Sequence, residues 1–220
     1  TIVYEFRESS GASPSIRFAQ FSEGEWNSTT VTTSHTAETG IDLKISRGKI
    51  GVAFLDGDGY VTFLESTDNG ETWKSAEGLS TRVEKQTPAS SSVALNYSSL
   101  GQPHLAYYVP GGGVQFAKPS QTTFGKSWGF AVLDSSTSFG GEYLDAVVDY
   151  ASRDRISFYD AVSGDLKLVK FNQKRQSFDK AFTADGGGKS NDRVGEYSSV
   201  GINSYGQTVI CYYNLTKGRL

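Results

Sequence analysis

The segment His104-Leu-Ala-Tyr-Tyr108 decides the reading of this 220-residue chain, because it has four counterparts. They are Thr1-Ile-Val-Tyr-Glu-Phe6, Ile50-Gly-Val-Ala-Phe-Leu55, Arg155-Ile-Ser-Phe-Tyr159 and Thr208-Val-Ile-Cys-Tyr-Tyr213. Their aligned aromatics, Tyr4, Phe54, Tyr107, Phe158 and Tyr212, stand 50, 53, 51 and 54 residues apart. A steady period of this length marks a repeat architecture. Each copy is rich in β-branched and aromatic residues, which suit a strand.

Working outward, each of the first four copies leads through a turn to a second strand, at 15–21, 60–64, 114–118 and 166–170. The turns hold Gly11, Asp56-Gly-Asp-Gly59, Gly111-Gly-Gly113 and Ser163-Gly-Asp165, residues that tolerate the positive φ of tight hairpins. A third strand is expected near Trp26, Trp73, Trp128 and Phe178. Another apolar stretch, at 41–45, 93–97, 146–150 and 200–203, precedes each later copy. Four strands in about 52 residues predict an all-β chain of propeller blades packed around an axis. Four to five blades fit as a single domain, with repeats at about 1–39, 40–88, 89–140, 141–194 and 195–220. The recurring strand has five copies and every other strand four. The expectation is therefore an incomplete ring, a piece of a longer repeat protein or one part of an assembly. A compact four- or five-blade ring with irregular closure is the alternative.

Composition excludes several classes. Twenty-one basic and 24 acidic residues are mixed along the chain, without the basic run that a nucleic-acid surface needs. No apolar stretch approaches the length of a membrane span. His35 and His104 are far apart and the single cysteine has no cluster around it, so neither metal nor cofactor is expected. Asp56-Gly-Asp-Gly59 lacks the spaced carboxylates of a calcium loop and reads as a hairpin. Gly186-Gly-Gly188 lacks the strand–helix setting of a phosphate loop. Cys211 lies in the apolar run 209–213 and is expected to be a buried thiol. Three acceptor sequons, at Asn27, Asn96 and Asn214, hint at a secreted or cell-surface protein.

Residues 66–73 read Ser66-Thr-Asp68-Asn-Gly70-Glu-Thr72-Trp73. They resemble the Asp-box of the bacterial-neuraminidase repeat, Ser/Thr-x-Asp-x-Gly-x-Thr-Trp, at every defined position. The resemblance implies a propeller of the lectin- or sialidase-like superfamily, with this box as a structural turn on the face away from any active site. The residues suit that role. Asp68 can accept from amides of its own turn, Gly70 can take positive φ, and Trp73 can pack between blades. The match is one box long: Trp26 and Trp128 keep the aromatic without the Asp and Gly. Gln102-Pro-His-Leu-Ala-Tyr-Tyr108, Gly164-Asp-Leu-Lys167 and Gly195-Glu-Tyr-Ser-Ser199 resemble degenerate propeller repeats, which carry no single activity.

Two chemistries compete for the site. A sialidase-like hydrolase needs an arginine cluster, a Tyr–Glu nucleophile pair and an acidic proton donor. Glu142-Tyr143 and Glu196-Tyr197, 54 residues apart, are the candidates for the pair. The family's early Arg-Ile-Pro is absent, and Ser15-Ile-Arg17 resembles it only superficially. A binding module needs aromatic faces beside polar groups. Tyr108, Tyr159 and Tyr213 recur at strand ends, with Asp160 or Asn214 beside the last two and Glu142 and Glu196 nearby. The reading is a non-catalytic extracellular module that binds glycans or a protein partner. The alternatives are part of a sialidase-like hydrolase, or an assembly propeller that pairs through open blade edges, as a homo-oligomer or with a further part of the same protein.

Overall fold

Short apolar runs broken by Gly and Asp leave the chain little choice but narrow antiparallel sheets. The computed structural model describes residues 1–34, 40–83, 90–123, 125–135, 141–187 and 191–220, and among these there is no helix. Seventeen strands follow in order: β1 (Ile2–Phe6), β2 (Ser15–Ser22), β3 (Glu25–Thr32), β4 (Ile41–Ser46), β5 (Lys49–Leu55), β6 (Val61–Ser66), β7 (Ser90–Tyr97), β8 (Pro103–Val109), β9 (Gly113–Thr122), β10 (Gly125–Asp134), β11 (Glu142–Val148), β12 (Asp154–Asp160), β13 (Asp165–Asn172), β14 (Ser177–Phe178), β15 (Phe182–Asp185), β16 (Val194–Ile202) and β17 (Thr208–Asn214).

They form five antiparallel sheets in chain order: β1-β2-β3, β4-β5-β6, β7-β8-β9-β10, β11-β12-β13 with β14 and β15 beside β13, and β16-β17. Each sheet is one blade. The five copies of the recurring segment are β1, β5, β8, β12 and β17; each is second in its sheet except β1, which forms the edge of the first. His35 and the repeat boundaries near 39, 88 and 140 fall on or beside residues outside those described.

The inner strands β4, β7, β11 and β16 are joined by side chains that reach the next blade. Asp42 accepts from the Leu95 amide at 2.7 Å, and Asp145 from the Val200 amide at 2.8 Å. Between them, the Asn96 amide donates to the Ala146 carbonyl at 2.9 Å. Burial pushes the Asp42 carboxyl above its ordinary pKa, against the opposing pull of Lys44.

Aromatic wedges fill the junctions. Trp73 of the second blade meets Phe18 of the first, with ring centroids 5.4 Å apart. Trp128 of the third meets Phe63 of the second at 6.0 Å, and Phe178 of the fourth meets Phe116 of the third at 4.8 Å. The period of the sequence is thus the period of this contact. The exception is Trp26, the corresponding residue of the first blade, which is 57% exposed.

Two expectations need correction. The strand expected at Trp73 is reduced to isolated bridges, Glu65 to Lys74 and Thr62 to Arg82, because the 66–73 turn and the bend at Leu79 lead the chain away between them. Cys211 is exposed, not buried. It lies on β17, which among the described strands pairs with β16 alone, and it shares an exposed face with Val209.

Candidate functional site

The blades have two different ends. At the lower end lies the 66–73 turn. There the Asp68 carboxylate accepts from the Thr72 amide at 2.9 Å, from the Thr72 hydroxyl and from the Ser66 hydroxyl at 2.7 Å. Those bonds, led by Thr72, hold its pKa well below the ordinary carboxylate range. Gly70 has φ +91°, and a Cβ there would meet the Phe18 ring at 2.3 Å. Ser66, Asp68, Gly70, Thr72 and Trp73 therefore make a self-contained turn wedged against the first blade.

The seven candidate ligand-binding residues all lie at the upper end, where β8, β12 and β17 finish and β11 and β16 begin. Asp160 and Asn214 are committed to hairpins there. Asp160 accepts from the Val162 amide at 3.0 Å and the Ser163 hydroxyl at 3.0 Å; Asn214 accepts from the Lys217 amide at 2.9 Å. Asp56 does the same in the second blade, taking the Asp58 and Tyr60 amides at 3.0 and 3.1 Å. Tyr108 is buried in the third blade beside Gly141, whose Cβ would meet its ring at 2.8 Å.

The other residues converge at the junction of the fourth and fifth blades. The local cause is a pair of β-bulges. Pairing of β11 with β12 runs from Glu142–Tyr159 to Asp145–Ser157, so one extra residue is accommodated; β16 does the same between Glu196–Tyr213 and Ser199–Cys211. In each bulge the tyrosine takes a left-handed conformation, with φ 52° at Tyr143 and 53° at Tyr197. That is uncommon for a bulky residue and costs about 1–3 kcal/mol unless its surroundings hold it. Here they do: the Tyr143 amide donates to Ser92 Oγ at 2.9 Å, and its carbonyl accepts from Ser198 Oγ at 2.8 Å. The preceding glycines make room. Gly195 has φ +113°, and its added Cβ would meet the Leu166 Cα at 2.8 Å.

The bulges line up four tyrosine rings. Tyr143 lies 6.3 Å from Tyr159 and 4.5 Å from Tyr197, and Tyr197 lies 6.4 Å from Tyr213. Tyr197 is 66% exposed, whereas Tyr159 is buried. Burial, then the hydrogen bond to Tyr197 and the negative charges of Glu196 and Glu142, push the Tyr143 hydroxyl up to about 12.

Beside the rings stands Arg193. Its Nε and Nη2 donate to the Tyr159 hydroxyl oxygen at 3.0 and 2.8 Å, and its Nη2 lies 3.6 Å from Glu196 Oε1. Its backbone is fixed by the final hairpin, through Thr216 Oγ1 and the Leu215 amide. The side chain stays 56% exposed. Glu196 is buried, while Glu142, its counterpart in the preceding junction, is exposed. Sequence reasoning did not single out Arg193. The available signal was a break in the repeat: Arg193 precedes Gly195-Glu-Tyr where Phe139, outside the described residues, precedes Gly141-Glu-Tyr.

No family model and no curated protein matches the sequence. Solved structures do resemble the fold. A triple arginine-to-alanine mutant of AofleA from Arthrobotrys oligospora superposes with a TM-score of 0.56 at 10% identity, over 92% of this chain and 58% of that one. A mutant of Aleuria aurantia lectin in complex with α-methyl-L-fucoside gives 0.55 at 13% identity, over 85% and 57%. The fold is a β-propeller. The leech intramolecular trans-sialidase complexed with 2,7-anhydro-Neu5Ac gives 0.52 at 14% identity, over 91% of this chain and 33% of that enzyme. This propeller chain spans less than two thirds of the length of each of these, and at such identities the likeness is one of fold.

Proposed function

We propose that this chain is a non-catalytic carbohydrate-recognition module that binds a neutral saccharide at the upper junction of its fourth and fifth blades. The observation that carries the reading is the half-exposed Arg193 held between the Tyr159 hydroxyl and Glu196, beside the exposed ring of Tyr197. A sugar presents an apolar face and a rim of hydroxyls. The ring of Tyr197 suits the first, while a donor fork next to a carboxylate acceptor suits the second. A negatively charged sugar is less well served, because Glu142 and Glu196 flank the single guanidinium.

The non-catalytic part of the proposal rests on two observations. The arginines are dispersed: Arg82 binds Asp56 and Asp58 in the second blade, and Arg153 and Arg155 both reach Asp149 at the lower end. The Tyr143 hydroxyl, pushed up to about 12, holds its proton where an attacking phenolate is required. The fold resemblance to a lectin solved with α-methyl-L-fucoside and the 66–73 turn support an Asp-box-like lectin propeller, and the sequons support an extracellular setting. A glycan array with neutral and sialylated oligosaccharides tests the assignment. Retention of a neutral glycan supports it; binding of sialosides alone, or turnover of a fluorogenic sialoside, rejects it.

One observation favours a second role in assembly. Ile2, Phe21 and Trp26 are exposed on the first blade, at positions whose counterparts in later blades are buried or half-buried. Sedimentation separates the two roles, since a concentration-independent monomer removes the assembly reading.

A further inference from the structure

We infer that the lower end of the fourth blade holds a second ligand site, separate from the saccharide junction, that takes a sulfate or phosphate group. A cavity of about 530 Å³ opens there, lined by Arg153, Arg155, Lys170 and Lys174 together with Asp154 and Asp179.

Its acids are already engaged. Asp154 bonds His104 Nδ1 at 2.8 Å, and Asp179 accepts from Asn172 Nδ2 at 3.0 Å and from Arg175. Asp149, from the neighbouring hairpin, accepts from Arg153 Nε at 2.7 Å and lies 3.3 Å from Arg155 Nη2. The Asp179 carboxyl is held below its ordinary pKa by its bonds from Asn172 and Arg175 and by the charge of Lys170, and the Lys170 ammonium leans over the Phe182 ring at 5.4 Å.

The arrangement of the cations is costly without a ligand. Arg155 and Lys170 are direct cross-strand partners on β12 and β13. Like charges placed opposite each other destabilise a sheet. The same register in other blades is balanced. In the second blade the place of Lys170 is taken by Glu65, which pairs with Lys49 at 2.9 Å. In the third blade the place of Arg155 is taken by His104, answered by Asp154 of the next blade. In the fourth blade the corresponding bond runs from Arg155 Nη1 to the uncharged hydroxyl of Thr208, at 2.7 Å. Across the blade junction a carboxylate has been exchanged for a hydroxyl, which leaves Asp149 to answer both Arg153 and Arg155. A bound oxyanion supplies the missing charge, with Lys170 and Lys174 as its mobile donors and the Arg153 guanidinium edge as its fixed one.

Isothermal titration of the full chain with inorganic sulfate, inorganic phosphate, a sulfated disaccharide and its unsulfated parent tests the site. The expected result is salt-sensitive binding of one or more of the charged probes and none of the parent. The Lys170→Gln/Lys174→Gln variant then binds about tenfold more weakly, while its melting temperature holds or rises as the like-charge repulsion is relieved. Binding of the sulfated disaccharide alone places the oxyanion on a sugar; equal binding of inorganic ions places it free in solution. Arg193→Ala leaves this affinity unchanged, so the result stands apart from the fate of the saccharide junction. The inference is overturned if no charged probe binds at low salt, or if the double variant, or Lys174→Glu alone, binds as well as the parent chain.

Discussion

The junction between the third and fourth blades and the junction between the fourth and fifth are built on the same plan, yet among the described residues only the second brings a charged pair to the surface. Both start from Gly-Glu-Tyr, at 141–143 and 195–197, and both bulge their inner strand so that the tyrosine takes positive φ. In the later junction Arg193 is anchored to the buried Tyr159 hydroxyl and Glu196 sits within 3.6 Å of it. In the earlier one Glu142 stays exposed. The comparison separates two roles that the repeat superimposes. The bulge is scaffold, present in both; the Arg–Glu pair is the part suited to recognition, present in one.

The largest effect that tests this division is on stability. Gly195→Ala places a Cβ 2.8 Å from the Leu166 Cα, backbone that has no easy way to yield, at φ +113°. A loss of about 3 kcal/mol is expected by denaturant titration. Gly141→Ala meets the Tyr108 and Val114 side chains instead, which can shift, so its loss is smaller. Equal losses break the claim that the later bulge is the more tightly boxed. Next in size is Glu196→Gln, expected to weaken saccharide binding about tenfold, near 1.4 kcal/mol, while Glu142→Gln leaves it unchanged. A matching loss from both puts recognition at the shared scaffold. Tyr159→Phe is expected to cost about 1 kcal/mol of stability and a similar share of affinity, since it removes the oxygen that two Arg193 bonds share. Unchanged affinity means that Arg193 needs no anchor.

The smallest effect is in the alkaline titration. The Tyr143 pKa is raised from 10.0 to about 12, so the folded state holds this proton more tightly than the unfolded chain. The corresponding stabilisation is complete below pH 10 and is lost as pH rises through about 12. Ultraviolet difference spectra are expected to show Tyr143 ionising late, together with Tyr212, which its hydrogen bond to Asp185 also raises to about 12. In the Tyr143→Phe variant the late step should shrink by one tyrosine, with Tyr212 still contributing. Its persistence undiminished contradicts the assignment.

Much of the fold was legible because the repeat is carried by the residues that pack. The aromatics at Trp73, Trp128 and Phe178 keep their spacing because each must reach a phenylalanine on the blade before it. Strand ends were legible for the same reason, and with them Tyr159 and Tyr213. Hairpin chemistry was half legible. Asp160 and Asn214 announce a polar strand end, but only geometry shows that their oxygens are spent on the hairpin itself. The bulges were not legible, since the left-handed residue inside each is a tyrosine, Tyr143 or Tyr197, and a glycine with positive φ before it reads equally well as a plain turn. Arg193 was missed because it occurs in one copy, and a search for repeats passes over what does not recur. Cys211 was misplaced because an apolar run shows that a strand has a buried face without showing how many faces are covered.

The measurement that bears most directly on the central claim is calorimetric titration of the intact chain, and of Arg193→Ala, with the neutral saccharide that binds best on an array. The account predicts a saturable heat for the parent chain, reduced at least about tenfold in Arg193→Ala, with the two proteins melting together to within about 1 kcal/mol. A folded parent chain that binds no neutral saccharide, or an Arg193→Ala variant that binds it undiminished, contradicts the account.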